Sequence, residues 1–283
     1  TLESPAYERW LHSNVVPQKQ EGYFTVFVTL AAGDIAANQL RILADAIRGF
    51  SAEGTARNTP QQNLAIRYIK SDDLHDFYNR LASIGLANPG ALTIASAVGC
   101  SGTTSCNLAI TNSHRLAKEV EYKFLELGLD TDDDLRDSTI KISGCPNSCG
   151  QHEIATIGFF GGASRIGTTM APTYTMLFGG SAGEQGELGK AIMRVPAKRV
   201  IDTIRKIIEI YKQERSDSET LSQWINKIVR GDGTGRIRNI ENMKAMLTPV
   251  VQLLPEEQDP ELYRDYGNGG KFSAKTAKGE CAA

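Results

Sequence analysis

The sequence predicts an α+β chain. A small open-faced unit of strands and helices comes first, then a larger α/β domain built around two pairs of cysteines, then a helical extension and a polar tail. Three observations carry this. Strand-like and helix-like stretches alternate twice between residues 23 and 84, the signature of a small α+β unit. Four of the five cysteines stand in two glycine-bracketed segments, around Cys100 to Cys106 and around Cys145 to Cys149. Two wide apolar stripes at helical spacing then run from Val200 to Tyr211 and from Leu221 to Ile228. The expected boundaries are 12–88, 89–230 and 231–283.

Residues 1–22 show no clear period and are expected to form an irregular leading arm. Val, Phe and Thr between Tyr23 and Thr29 favour a strand. Gly33 and Asp34 break it, and Asp34 is expected to cap a helix carrying Leu40, Leu43, Ala44 and Ile47. The polar run Arg57 to Asn63 leads into a second strand, Leu64 to Ile69. A second helix from Ser71 has Leu74, Phe77, Leu81 and Ile84 on one face, with Asp72 and Asp73 where they favour its dipole. Asn88-Pro89-Gly90 marks the boundary. Leu92 to Val98 is expected to be a strand delivering Cys100, and Cys106 to about Leu127 a helix burying Leu116, Val120, Phe124 and Leu127. The acidic turn from Asp130 to Asp134 lacks the spaced Gly and terminal Glu of a calcium loop and is expected to be solvated. Ile140 to Ser143, Ala155 to Phe160 and Tyr174 to Phe178 are expected strands. Gly161-Gly162 and Gly179-Gly180 are candidate sites of close backbone approach. Neither pair has the G-x-G-x-x-G pattern of a dinucleotide site. Beyond Gly231 no core-forming period is visible, so a docked or mobile tail is expected.

The chain has 283 residues, 41% of them hydrophobic and 23% charged, ordinary values for a globular protein. A formal net charge of -2 leaves no basic surplus for a nucleic-acid backbone. No apolar run reaches the roughly 18 residues needed to cross a bilayer. A cytoplasmic protein with free thiols is expected. The chain begins Thr-Leu-Glu-Ser, as expected of a piece of a longer polypeptide or a processed product.

The two cysteine segments read C-x5-C and C-x3-C, flanked by Gly99, Gly102, Gly144, Pro146 and Gly150. Loops rich in Gly and Pro turn sharply enough to aim several sulfurs at one object. Disulfides suit small secreted chains without a core, which this chain is not. A zinc knuckle favours a shorter spacer than the first pair has. An iron–sulfur cube, with four thiolates at its corners, tolerates long and unequal spacers. Four ordinary buried cysteines would have no reason to pair twice in such loops.

The two segments resemble the cluster-binding signature of the sirohaem-containing sulfite and nitrite reductases. Ile142-Ser143-Gly144-Cys145-Pro146-Asn147-Ser148-Cys149 and the following Ile154 to Gly158 are similar to that family's strand, loop and next strand. The resemblance, over residues 14–228, implies that the first unit is a ferredoxin-like half-domain and the second a sirohaem and [4Fe–4S] domain. It implies that Cys100, Cys106, Cys145 and Cys149 hold the cluster and that Cys149 also ligates the sirohaem iron. Arg57, Thr59, Gln62 and Asn63 match a polar run that faces sirohaem in the family. On chemistry alone these are ordinary turn residues, yet a tetrapyrrole with many carboxylates needs such donors. Asn147 and the pair Gly179 and Gly180 are further implied cofactor neighbours.

The resemblance also implies a function. The chain is expected to be the catalytic, C-terminal half of an assimilatory sulfite reductase, carrying out six-electron reduction of sulfite to sulfide. Nitrite reduction to ammonia is the alternative within the family. A non-catalytic iron–sulfur or zinc-binding electron-transfer module is the alternative of another class. The expected partners are the N-terminal half of the same enzyme and a ferredoxin or flavoprotein donor, with no nucleic acid and no membrane. The form of the first motif, with Gly102, points to ferredoxin. Because the cluster loops hold no Lys or Arg, the cations that grip the oxyanion are expected from the other half, leaving the isolated chain inactive with a polar concave face around Arg57, Gln62 and Asn63. His12, His75, His114 and His152 are expected to be surface or satisfied side chains, His152 alone being close enough to Cys149 for a proton-relay or cofactor contact. Cys281 is expected to be a passive tail thiol.

Overall fold

Apolar alternation in the first unit builds a four-stranded sheet. A computed structural model describes residues 4–184, 186–267 and 269–274; Cys281 lies outside the described residues. The chain divides into two compact units, one of Thr1–Ser96 with Phe124–Arg136, the other of Ala97–Lys123 with Asp137–Ala283.

In the first unit the elements are α1 (Pro5–Asn14), β1 (Val15–Pro17), β2 (Tyr23–Val28), α2 (Ala37–Phe50), β3 (Ala56–Asn58), β4 (Leu64–Lys70) and α3 (Leu74–Ala82). The strands form an antiparallel sheet in the order β1-β2-β4-β3. Val26, Val28, Ile66 and Ile69 from the sheet pack with Leu43 and Ile47 of α2, Phe77 and Leu81 of α3, and Trp10 of α1.

Three expectations are corrected here. The leading arm is the helix α1, whose Ser4 side chain caps it and whose Pro5 opens it. Its buried apolar residues are only Tyr7 and Trp10, one turn apart, with Leu11 partly buried against the same core. Asp34 does not cap α2: it closes a single turn of 3-10 helix at Ala31–Gly33, and α2 starts only at Ala37, after Ala36, whose N–H donates to the Gln39 side chain at 3.1 Å. Asp130 is not solvated: it is 1% exposed and Arg9 donates to both its oxygens, through Nε at 2.6 Å and through Nη2.

The second unit has β5 (Val98–Gly99), α4 (Ser113–Glu126), β6 (Ile140–Ser143), β7 (Ile157–Ile166), β8 (Thr169–Phe178), β9 (Lys190–Pro196), α5 (Val200–Glu214), α6 (Leu221–Arg230) and α7 (Ile240–Val251). Its five-stranded sheet runs β5-β6-β7-β8-β9. The first three strands are parallel and the last three antiparallel. Val200, Ile204, Ile207, Ile208 and Tyr211 of α5 and Leu221, Trp224, Ile225 and Ile228 of α6 are buried, as their spacing predicts.

Residues 92–97 are a series of turns rather than a strand, pinned by Thr93 Oγ1 donating to the Gly90 carbonyl at 3.0 Å. Helix α4 starts at Ser113, later than expected, so Cys106 sits in a loop. The expected tail contains α7, which buries Met243, Leu247 and Val251, followed by buried Leu262 and Tyr263 against Ala171. Among the described residues no helix is long and apolar enough to cross a membrane.

Candidate functional site

The parallel pairing of β5 with β6 places both cysteine loops at one end of the sheet. Cys100 follows β5 directly and Cys145 follows β6 by one residue after Ser143. Crevices at the carboxyl ends of parallel strands are where such sheets bind ligands. The two loops are tied together: the Cys100 N–H donates to the Ile142 carbonyl at 3.0 Å, and the Gly144 N–H donates to Cys100 Sγ at 3.1 Å. Cys106 is fixed by its N–H donating to the Gly102 carbonyl at 3.0 Å.

The four thiols differ in exposure. Cys145 is buried, Cys100 and Cys106 are half-buried, and Cys149 is exposed. Burial pushes the Cys145 thiol up, and the nearness of Cys100, Cys106 and Cys149 adds to the rise. The other three thiols therefore lie within the field of Cys145 and oppose its ionisation. Bound iron offsets that repulsion, since metal ligation is what stabilises thiolates crowded in this way. Four thiols on two adjoining loops are the donor chemistry an iron–sulfur cluster takes, and among the described residues no three His, Cys, Asp or Glu side chains stand close enough to hold a single metal ion.

Glycine makes this crowding of loops possible. A Cβ on Gly161 of β7 would stand 2.0 Å from Thr111 Oγ1 and 2.4 Å from the Gly144 carbonyl oxygen; on Gly150 it would stand 2.2 Å from the Ile142 carbonyl oxygen. The close approach expected at Gly161 is thus real, whereas a Cβ on Gly162 would meet, among the described residues, only Thr173 Oγ1 at 3.9 Å. Gly179 and Gly180 make room for protein. A Cβ on Gly179 would meet Asn226 and Val229 at 3.0 Å, and one on Gly180 would meet the Glu153 carbonyl oxygen at 2.3 Å.

The loop from Cys145 to Cys149 is braced by groups that the motif alone does not reveal. Ser143 Oγ accepts from the Gly150 N–H at 3.0 Å and is 2.8 Å from His152 Nδ1. His152 is 2% exposed and its ring lies against Phe160; burial lowers its pKa and favours the neutral ring. Lys141, 6% exposed on β6, donates to Gln151 Oε1 at 2.6 Å, and burial lowers its pKa too. The cation nearest the motif in sequence thus comes from the preceding strand. The Asn147 carbonyl oxygen lies 4.0 Å from Cys149 Sγ.

In the first unit the polar run forms a tight turn. Thr59 Oγ1 accepts from the Asn63 N–H at 3.2 Å, and the Thr59 carbonyl accepts from the Gln62 N–H at 3.0 Å. The Asn63 side chain is buried and serves the fold: its Oδ1 accepts from the Leu30 N–H at 2.9 Å and its Nδ2 donates to Ser96 Oγ at 3.0 Å. Arg57 is exposed and paired with Glu53, which Arg67 also holds at 2.7 Å. These two guanidinium groups hold the Glu53 carboxyl far below the usual carboxylate range. The expected polar concave face is corrected in kind. A hollow of about 360 Å³ beside Gln62 and Asn63 is walled mainly by Leu30, Ile35, Leu40 and Leu64, and Arg57 does not line it.

Comparison with known proteins agrees with this geometry. Residues 16–84 match the nitrite/sulfite reductase ferredoxin-like half domain, and residues 91–229 match the nitrite and sulphite reductase 4Fe-4S domain. A "Sulfite reductase [ferredoxin] 1" of Mycolicibacterium paratuberculosis is 26% identical over 78% of this chain and 40% of its own length. An assimilatory ferredoxin-dependent nitrite reductase of Haloferax mediterranei is 28% identical over 74% of this chain and 36% of its own. The structure of the Mycobacterium tuberculosis NirA protein superposes with a TM-score of 0.63 at 27% identity, covering 76% of this chain and 40% of that one. Dissimilatory sulfite reductase I, at 12% identity and a TM-score of 0.63 over 89% of this chain, shares the fold. The chain spans about two fifths of the length of the curated relatives it matches. Two adjacent domain matches, with four cysteines gathered at one end of a sheet, lead to one assignment: the chain belongs to the sulfite and nitrite reductase family, whose cofactors are a [4Fe–4S] cluster and sirohaem.

Proposed function

We propose that the chain is the catalytic, C-terminal half of an assimilatory sulfite reductase that takes sulfite to sulfide in a six-electron reduction. The observation that supports this best is the convergence of Cys100, Cys106, Cys145 and Cys149 on one end of the β5–β6 pair. Nitrite reduction to ammonia is the second reading, favoured by the equal similarity to a nitrite reductase. Ferredoxin is the proposed donor, because the relatives' names carry it.

When bound, the cluster and sirohaem supply the stored electrons and the iron at which the anion is reduced. The chain's own part is to hold and orient. Cys100, Cys106 and Cys145 are assigned to the cluster alone. Cys149, the exposed thiol, is assigned to both cluster and sirohaem iron, with Asn147 beside it. In the first unit Arg57, Thr59 and Gln62 are the proposed donors to tetrapyrrole carboxylates, and Asn63 holds the turn that presents them. Gly179 and Gly180, carried over from the family as cofactor neighbours, have a packing role in this chain. The loops from Cys100 to Cys106 and from Cys145 to Cys149 hold no Lys or Arg. An oxyanion at electron-rich iron needs fixed positive charge, so the N-terminal half of the enzyme is proposed to supply it.

The test is spectroscopic and kinetic. The loaded chain should show a sirohaem Soret band coupled to the reduced-cluster EPR signal, and Cys149→Ser should lose both. A Cys149→Ser protein that keeps the coupled spectrum would refute the bridge. Oxidation of a reduced dye by sulfite and by nitrite, each supplied to the enzyme with both halves present, ranks the two substrates. Full turnover by this chain alone would show that the other half is not needed.

A further inference from the structure

The residues after Arg230 lie beyond the matched 4Fe-4S domain, 91–229, yet they are built onto the second unit. Leu262 and Tyr263 pack on Ala171 of β8 with Leu253 and Leu254. Tyr263 Oη donates to the Leu254 carbonyl at 2.9 Å, and the Tyr263 carbonyl accepts from the Phe272 N–H at 2.7 Å.

From this anchored segment one carboxylate reaches toward the cysteines. Asp265 is 2% exposed. Its Oδ2 accepts from the Asn112 N–H at 2.7 Å, just ahead of α4, and its Oδ1 accepts from the Tyr266 N–H at 2.8 Å. Asn112 carries the link onward: its Oδ1 accepts from Thr104 Oγ1 at 3.0 Å and from the Arg115 N–H at 3.1 Å. Thr104 belongs to the short turn Gly102–Thr104, and the Gly102 carbonyl holds the Cys106 N–H. A second contact reinforces the first. Gly267, with φ of +74°, brings backbone so near that a Cβ there would stand 2.9 Å from Arg115 Cγ and 3.3 Å from Asn112 Nδ2. A cavity of about 520 Å³ separates Thr103, Cys106 and Ile110 from Asp265, Gly267 and Phe272. The extension therefore forms the wall facing the Cys106 arm.

We propose that Asp265 is a positioning residue for the cluster: through Asn112 and Thr104 it fixes the Cys106 arm, so the C-terminal extension sets how firmly the iron is retained. A buried carboxylate accepting two backbone N–H groups is a rigid strut, and removing it strands the Asn112 N–H without a partner. The proposal rests on Cys106 being a cluster ligand.

The experiment uses the full chain loaded with the cluster and measures iron capture by a ferrous chelator after reduction, together with the reduced-cluster EPR signal. Asp265→Ala, which removes both acceptors, is expected to release iron roughly ten- to a hundredfold faster, the loss of the bond to the Asn112 N–H expressed as a rate. Asp265→Asn, which retains one acceptor, should fall between that variant and the unaltered chain. Thr104 is exposed, so Thr104→Val tests the far end of the link without disturbing the core, and it should speed release and alter the EPR line shape. Tyr263→Phe cuts a hydrogen bond of the same extension that does not lead to Cys106, and it should release iron at the unaltered rate. The proposal is overturned if Asp265→Asn and Thr104→Val both behave as the unaltered chain, or if Tyr263→Phe matches them. If Asp265→Ala does not fold, those three variants decide. An unaltered chain that takes up no iron would overturn the ligand assignment itself, a result distinct from one seen only in the variants.

Discussion

Glu121 should make the second unit less stable as pH rises. It sits on α4 one turn after Ala117 and next to Val120, so helical spacing puts it at the edge of the buried stripe, and it is 5% exposed. Burial pushes its carboxyl from an ordinary 4.5 up to about 7, with Lys118 pulling the other way. At about 1.4 kcal/mol per pKa unit, this rise corresponds to about 3 kcal/mol. The sign is set by which state ionises first. Below 4.5 the group is protonated in both states and costs nothing. Between 4.5 and 7 the unfolded chain ionises while the folded chain does not, so stability falls with pH and the full cost is reached above 7. Gln resembles the protonated acid and cannot ionise. Glu121→Gln should therefore match the unaltered chain near pH 4.5 and exceed it by up to about 3 kcal/mol at pH 8.5. Urea unfolding in a Trp10→Phe background, with Trp224 as the remaining reporter of this unit, measures the difference at the two pH values. A gap that does not widen with pH would refute burial as the cause of the shift.

Two further pairs of substitutions test a close glycine contact and a buried ion pair. Gly161→Ala should cost about 1–3 kcal/mol by overpacking and lower iron uptake on reconstitution, since the new methyl group displaces Thr111 and the Gly144 carbonyl just ahead of Cys145; Gly162→Ala, whose methyl group would meet only Thr173 Oγ1 at an ordinary 3.9 Å, should stay within about 0.5 kcal/mol. Arg9→Met should destabilise the first unit by about 3–5 kcal/mol by leaving the buried Asp130 carboxylate unpaired, and adding Asp130→Leu should recover much of the loss, both read from urea midpoints.

Periodic elements were legible and aperiodic ones were not. The helices α5 and α6 announce themselves by apolar residues every third or fourth position, and β4 and β6 by short β-branched runs. Helix α1 hides because only Tyr7 and Trp10 of its ten residues are large and buried. Strand β9 hides because Lys190 and Arg194 interrupt its apolar residues and glycines precede it. Helix α7 hides behind Pro249, near its last turn. Asp130 was read from its acidic neighbours, but its partner Arg9 is far away in sequence, and an ion pair between distant positions leaves no local pattern.

The same contrast holds in the site. Cysteines at characteristic spacing name their own chemistry, whereas the groups that fix them are ordinary residues whose roles exist only in three dimensions. Ser148 and Gln151, on either side of Cys149, hold φ of 57° and 59°, a conformation that costs a non-glycine residue roughly 1–3 kcal/mol. Such strain persists only where neighbours over-determine it, and the neighbours are visible. Gly150 is tied to Ser143, and Gln151 is tied to Lys141. Both anchors come from β6, the strand that delivers Cys145. Strand and loop thus act as one unit, with residue 143 tied to the Gly150 backbone and residue 141 to the Gln151 side chain, just after the motif that residue 145 opens. A loop held in shape before a ligand arrives loses little entropy on binding, so under the ligand role proposed for Cys149 the strain serves as preorganisation of its thiol.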